Sequence, residues 1–124
     1  MQGYVDDQLQ PKVKLKTKGM RKAVEIEAVV DTGFSGDLCL PLTVATQLGL
    51  ELWGDQFAEL ADGSIKRDIL FLGIVVWENK EKAVEISLTE SEETLIGSGL
   101  LEKQRLTIDY ADKVVMIEPK AVSS

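Results

Sequence analysis

The chain has 124 residues, a net charge of −7, 44% hydrophobic residues and no histidine. That balance supports a core in a single domain over residues 1–124, and the acidity disfavours nucleic acid or an anionic membrane as main partner. Without histidine, and with Cys39 as the lone cysteine, Ser-His and Cys-His nucleophilic pairs and the usual zinc sites are excluded, so no metal or cofactor is expected. What remains for catalysis is carboxylates, hydroxyls, lysines and backbone dipoles. An enzyme built from this chain must therefore lean on Asp or Glu.

The start, Met1 to Asp7, lacks a basic region followed by an apolar stretch, and no apolar run approaches the roughly 20 residues that span a bilayer. No signal peptide and no membrane partner are expected. A lone cysteine cannot close an intrachain disulfide, which makes a reducing, cytoplasmic setting the default.

In chain order, Lys12, Lys14, Lys16 and Lys18 alternate with Val13, Leu15 and Thr17, the pattern of a strand with one solvated lysine face. Lys18-Gly19-Met20-Arg21 offers a turn, and Ala23–Val30 reads as a second strand that becomes wholly apolar at Ala28-Val29-Val30. After a loop at 31–37, Leu38-Cys39-Leu40 reads as a short strand, with Cys39 as a small buried hydrophobe. Pro41 suits the start of a helix over Leu42–Leu48 that stops at Gly49.

Trp53–Ala61 and Ser64–Trp77 flank Asp62-Gly63, a strong local hairpin signal. Trp53 and Trp77 are expected in the core or at the base of that hairpin, because large aromatics mostly bury. Glu78–Lys82 reads as a turn and Ala83–Leu88 as a strand. Thr94-Leu95-Ile96 follows, and Gly97-Ser98-Gly99 opens a short helix near Leu100–Lys103. Arg105–Tyr110 and Lys113–Glu118 form a closing pair through Ala111-Asp112; Asp109 and Asp112 read as turn residues rather than calcium ligands. The chain after Pro119 is expected to fray. Short strands with frequent turns predict a mainly β barrel with one or two short helices, not a βαβ sheet.

The chemistry centres on Val29-Val30-Asp31-Thr32-Gly33-Phe34-Ser35-Gly36. An apolar strand runs into a bend where glycine allows close backbone approach, so a carboxylate reaches the surface while its base is anchored in the core. Asp, Thr and Gly are also ordinary turn residues, and the tripeptide alone is a weak signal.

The wider pattern resembles the retropepsin-like aspartic peptidases, the family of the retroviral proteases and their cellular relatives. The resemblance rests on three features in order: two hydrophobics before Asp31-Thr32-Gly33, the Ala61-Asp62-Gly63-Ser64 hairpin, and Leu95-Ile96-Gly97 followed by Leu100-Leu101. Phe34-Ser35-Gly36 is similar to a bacterial and archaeal single-domain subgroup with phenylalanine after the triplet. The resemblance implies a closed, retropepsin-like β barrel and a symmetric homodimer. It implies an Asp31 from each subunit forming a catalytic dyad, with Thr32 bonding across the axis and the Gly33 backbone lying along a bound peptide or protein substrate. The hairpin around 53–77 would be a flap carrying Asp62, Gly63 and Ser64 over the substrate, with Phe34 and Ser35 shaping the pocket beside the dyad. One departure stands out. Where many relatives carry Asp or Asn, this chain has Gly99, so a hydrogen bond that supports the active loop is missing or replaced. The alternative function is a non-catalytic dimeric module of the same fold that binds peptide or protein.

Overall fold

The computed structural model describes residues 1–120. Its first strand, β1 (Gln2–Val5), precedes any strand the sequence pattern announces. β1 has too few residues to show an alternation, and it is a strand because neighbours from both ends of the chain flank it. It pairs antiparallel with β2 (Pro11–Lys18) and with β10 (Val114–Pro119).

The lysine alternation is β2. Val13, Leu15 and Thr17 are buried, whereas Lys14 and Lys16 are exposed. β3 (Ala23–Val30) sets Glu27 opposite Lys14 and Glu25 opposite Lys16. Opposite charges at facing positions balance that surface, so it is a solvated strand face and not a basic patch. At the ends of the row, Lys12 pairs with Asp6 at 3.0 Å and Lys18 with Glu81 at 2.9 Å.

β4 (Leu38–Pro41) leads directly into α1 (Leu42–Leu48), with Pro41 at its N-terminal boundary and Gly49 closing it in the left-handed region at φ 70°. β5 (Glu51–Glu59) and β6 (Ile65–Trp77) form the expected hairpin. β7 (Lys80–Thr89) begins earlier than its apolar pattern suggested. Glu78 and Asn79, both at positive φ, turn the chain within two residues and let the ladder start at Trp77 and Lys80. β8 (Thr94–Ile96) and α2 (Ser98–Leu101) follow, then β9 (Gln104–Asp109), which pairs with β10. α2 starts two residues before the expected position, because Gly97 is extended and the helical turn begins at Ser98. The Asp109 carboxylate accepts the N–H groups of Ala111 and Asp112, both at 3.0 Å, and makes the expected turn. Lys120 still donates to the Lys103 carbonyl at 3.2 Å. The rest of the tail expected to fray lies outside the described residues.

The strands join in the order β5-β6-β7-β4-β8-β3-β2-β1-β10-β9, and a further pairing of β6 with β2 closes six of them into a barrel. Its interior holds Val13, Leu15, Ala28, Val30, Leu38, Leu40, Val75, Val84, Ile86 and Ile96, with Leu48 of α1 and Leu100 of α2 packed into the same core. The result is a closed, mainly β barrel with two short helices.

Two expectations fail. Trp77 is buried, but Trp53 is 59% exposed. It sits where the β5–β6 register shifts between Leu52 and Gly54, and it lines a cavity with Asp37, Leu72, Ala83 and Glu85 without being covered. Cys39 is half-buried. Leu38 and Leu40 both point into the barrel, and the period of two turns the residue between them to the other face.

Candidate active site

β3 drives into the core through Ala28 and Val30, its last residue, and Asp31 follows directly. Its parallel pairing with β8 aligns Val30 with Ile96. The Asp31 N–H then donates to the Ile96 carbonyl at 2.9 Å, so the residue is held by the sheet up to its own backbone. The chain turns at once: Phe34 N–H donates to the Asp31 carbonyl at 3.1 Å, and Gly33 N–H to Asp31 Oδ1 at 2.9 Å. A Cβ on Gly33 would lie 3.3 Å from Asp31 Oδ1, so glycine keeps the carboxylate uncrowded. Asp31 is half-buried, and Thr32 and Gly33 are exposed.

The late glycines lock this loop from the other side. Gly97 N–H donates to the Asp37 carbonyl at 3.0 Å, Ser98 N–H to the Phe34 carbonyl at 2.8 Å, and Gly99 N–H to the Gly36 carbonyl at 3.0 Å. Gly97 is buried, and a Cβ there would collide with the carbonyl oxygens of Gly36 and Phe34. Glycine at 97 is what allows two backbone segments to touch. The motifs at 31–36 and 97–99 are thus two halves of one hydrogen-bonded structure.

Beside the loop is a cavity of about 360 Å³. Phe34, Ser35, Gly36, Asp37 and Leu38 form one wall. Gln56, Asp68 and Leu70 of the hairpin, with Glu85 and Ser87 of β7, form the other. The structure therefore brings Phe34 and Ser35 together with the hairpin stem, while Asp62, Gly63 and Ser64 sit at the hairpin end and do not line this cavity. At that end Gly63 has φ 85°, and Asp62 Oδ1 accepts the Ser64 hydroxyl at 2.6 Å and the Ser64 N–H at 2.9 Å. Those bonds, the hydroxyl's first, hold the Asp62 carboxyl below its ordinary pKa.

Sequence reasoning missed the second wall. Gln56 faces Asp68 and Gly54 faces Leu70, because Leu60 bonds to Ser64 across a loop of residues 61–63; counting back from a two-residue Asp62-Gly63 turn would have set Gln56 opposite Ile69 and on the wrong face. Nothing in the sequence marks Asp37, Glu85 or Ser87. A separate groove of about 300 Å³, lined by Arg21, Leu42, Ala45, Phe71 and Leu88 among others, shares no residue with this site.

No protein-family model matches the sequence, and no curated protein matches it significantly. Solved structures do match. A retropepsin-like aspartic protease from Rickettsia conorii aligns with a TM-score of 0.66 at 20% identity, over 98% of this chain and 92% of that one. The simian foamy virus protease aligns at 0.52 and 11% identity, over 73% of this chain and 92% of its own. The retroviral protease-like domain of Ddi1 from Leishmania major aligns at 0.50 and 15% identity, over 86% and 91%. With the closed barrel, the Asp31 loop and the late glycine segment in the expected order, the fold of this chain is that of the retropepsin-like aspartic proteases.

Proposed function

We propose that the chain is a homodimeric aspartic endopeptidase in which Asp31 of each subunit forms the catalytic pair. The observation that carries this reading is Asp31 itself. It is a half-buried carboxylate at the end of a core strand, fixed through its backbone to Ile96 and flanked by exposed Thr32 and Gly33. Peptide hydrolysis by carboxylates needs two of them, and the chain has one Asp-Thr-Gly, so a two-fold axis beside Asp31 supplies the second. Two carboxylates in contact share one proton. The ionised member removes a proton from water as the water oxygen adds to the scissile carbonyl carbon, and the protonated member donates to the carbonyl oxygen. As the C–N bond breaks, the leaving amine takes a proton from one member, and a hydroxyl of the gem-diol returns its proton to the other as the carboxyl C=O re-forms, restoring the singly protonated dyad. Thr32 bonds across the axis and Gly33 presents its backbone to the peptide.

An extended peptide or protein segment lies between this loop and the β5–β6 hairpin, which serves as the flap with Asp62, Gly63 and Ser64 at its tip. Phe34 and Ser35 shape a substrate pocket against Gln56 and Leu70, which line the same cavity. The single domain works in a reducing, cytoplasmic setting without metal or cofactor.

The test is a peptide-library cleavage assay on a dilution series, with sedimentation run in parallel and pepstatin as inhibitor. Cleavage should be pepstatin-sensitive, and its specific activity should fall as the dimer dissociates. Undiminished activity in a sample shown to be monomeric sinks the shared dyad. No cleavage at any concentration or pH favours the non-catalytic binding module.

A further inference from the structure

Gly99 removes a side chain from the segment that locks the Asp31 loop, and the space it leaves is filled from the other side. A Cβ on Gly99 would collide with Asp37 Oδ1 and would come within 3.0 Å of the Gly36 carbonyl oxygen. The second oxygen of the same carboxylate, Asp37 Oδ2, accepts the Glu85 N–H of β7 at 3.0 Å. β4 pairs with β7 only from Leu38 and Ile86 onward, so the Asp37 side chain takes the place of one more rung in that ladder. Its backbone carbonyl meanwhile accepts the Gly97 N–H. One residue therefore touches both flanks of the loop: the 97–99 segment through its main chain and packing, and β7 through its carboxylate.

We propose that Asp37 is the positioning residue of the candidate site. It fixes the far end of the 31–37 loop, as the Ile96 carbonyl fixes the near end, and Gly99 is glycine because Asp37 occupies the room. The effect on catalysis rests on the peptidase reading above; the effect on loop geometry does not. Asp37 touches no reacting group in this scheme and acts through the loop.

Amide hydrogen exchange reads the geometry directly. Asp37→Ala should lower protection at Glu85, and at Gly97 and Gly99, by about tenfold or more, the scale of a lost hydrogen bond to a charged group. Asp37→Asn keeps an acceptor oxygen and should restore most of that protection. If the protein cleaves peptide, Asp37→Ala should cut kcat per folded molecule by about tenfold or more, and Asp37→Asn should recover it; because a loss of folded protein by itself lowers apparent kcat at constant KM, the rate is normalised to the folded fraction read by circular dichroism. A double-mutant cycle supplies the packing arm. Gly99→Ala should lower the melting temperature of the unaltered protein more than it lowers that of Asp37→Ala, because the colliding carboxylate is then gone. Unchanged exchange in Asp37→Ala, Asn behaving like Ala, or equal costs of Gly99→Ala in both backgrounds would overturn the assignment. If the unaltered protein cleaves nothing, the peptidase reading fails, and exchange and the cycle still decide the role of Asp37.

Discussion

The Asp31 loop and the β5–β6 hairpin are both surface turns anchored in one barrel, yet they are held in opposite ways. The loop is bonded to the continuous 96–99 segment and to Glu85 of β7, two separate parts of the chain. The outer hairpin is bonded chiefly to itself. From Ile65 to Leu70, β6 pairs only with β5, because β7 joins it at Phe71 and β2 at Ile74. Phe57, Ile65 and Ile69 are exposed there, and an Arg67–Asp55 bond at 2.6 Å ties one strand to the other without tying either to the barrel. A two-stranded ribbon is marginal by itself, whereas a cross-linked loop opens only when its neighbours do. In the proposed peptidase the carboxylate is thus placed by the cross-linked loop, and the cleft is covered by the self-bonded ribbon.

Four substitutions or titrations probe that contrast. The largest expected effect is Asp31→Asn. The change is nearly isosteric and keeps an acceptor for the Gly33 N–H, so fold and association should survive. Peptide cleavage should fall by at least about a thousandfold, since both members of a symmetric dyad change together. Cleavage equal to that of the unaltered protein would remove Asp31 from the chemistry.

Next is Gly97→Ala, which forces a methyl group against the Gly36 and Phe34 carbonyls. A cost of about 3 kcal/mol, read from urea unfolding, is expected for overpacking at a backbone contact that cannot yield. A cost below about 1 kcal/mol would mean the lock is looser than its bonds suggest.

The hairpin should respond differently. At Gly63 a Cβ meets nothing within 4 Å, but φ is 85°. Gly63→Val should thus cost only local strain, about 1–2 kcal/mol at the tip. Global stability should change little, while cleavage falls roughly tenfold as the tip geometry is lost. Unchanged cleavage by folded protein would remove the tip from substrate handling.

The smallest effect is the titration of Asp62. Its pKa is held down, first by the Ser64 hydroxyl and then by the Ser64 N–H. A carboxylate with a lowered folded pKa stabilises its turn above the unfolded value and loses that contribution as pH falls through the folded one. The tip should therefore hold at neutral pH and loosen only in acid. An NMR titration of the Asp62 carboxyl should show a midpoint below the ordinary aspartate value, rising toward it in Ser64→Ala.

Much of this was legible before the structure. Alternation and turn chemistry located β2, β3, α1 and the hairpin, because each carries a local signal: lysines at period two, a glycine stop, an Asp-Gly pair. The Asp31 bend and the late glycines could be paired through resemblance, since both are written in short motifs. The features that escaped depend on partners distant in sequence. β1 is extended only because β2 and β10 flank it. Trp53 is exposed at a shift in the β5–β6 register that depends on how the two strands meet. Asp37 acquires its place from Glu85 and Gly99, and no pattern along the chain links those positions.

The pairing of β3 with β8 also bears on how the molecule is made. Two parallel strands cannot be joined by a tight turn, and here β4 to β7 lie between them in sequence. Contacts this far apart in the chain place folding on the slow side for a small domain, in the millisecond-to-second range. The Ile96 carbonyl that fixes Asp31 arrives on β8, the last of the six barrel strands to be synthesised. Until then Asp31 heads an unanchored turn. A nascent chain of this kind cannot hold the carboxylate in place before its own barrel is complete, so maturation of the site is timed by folding itself.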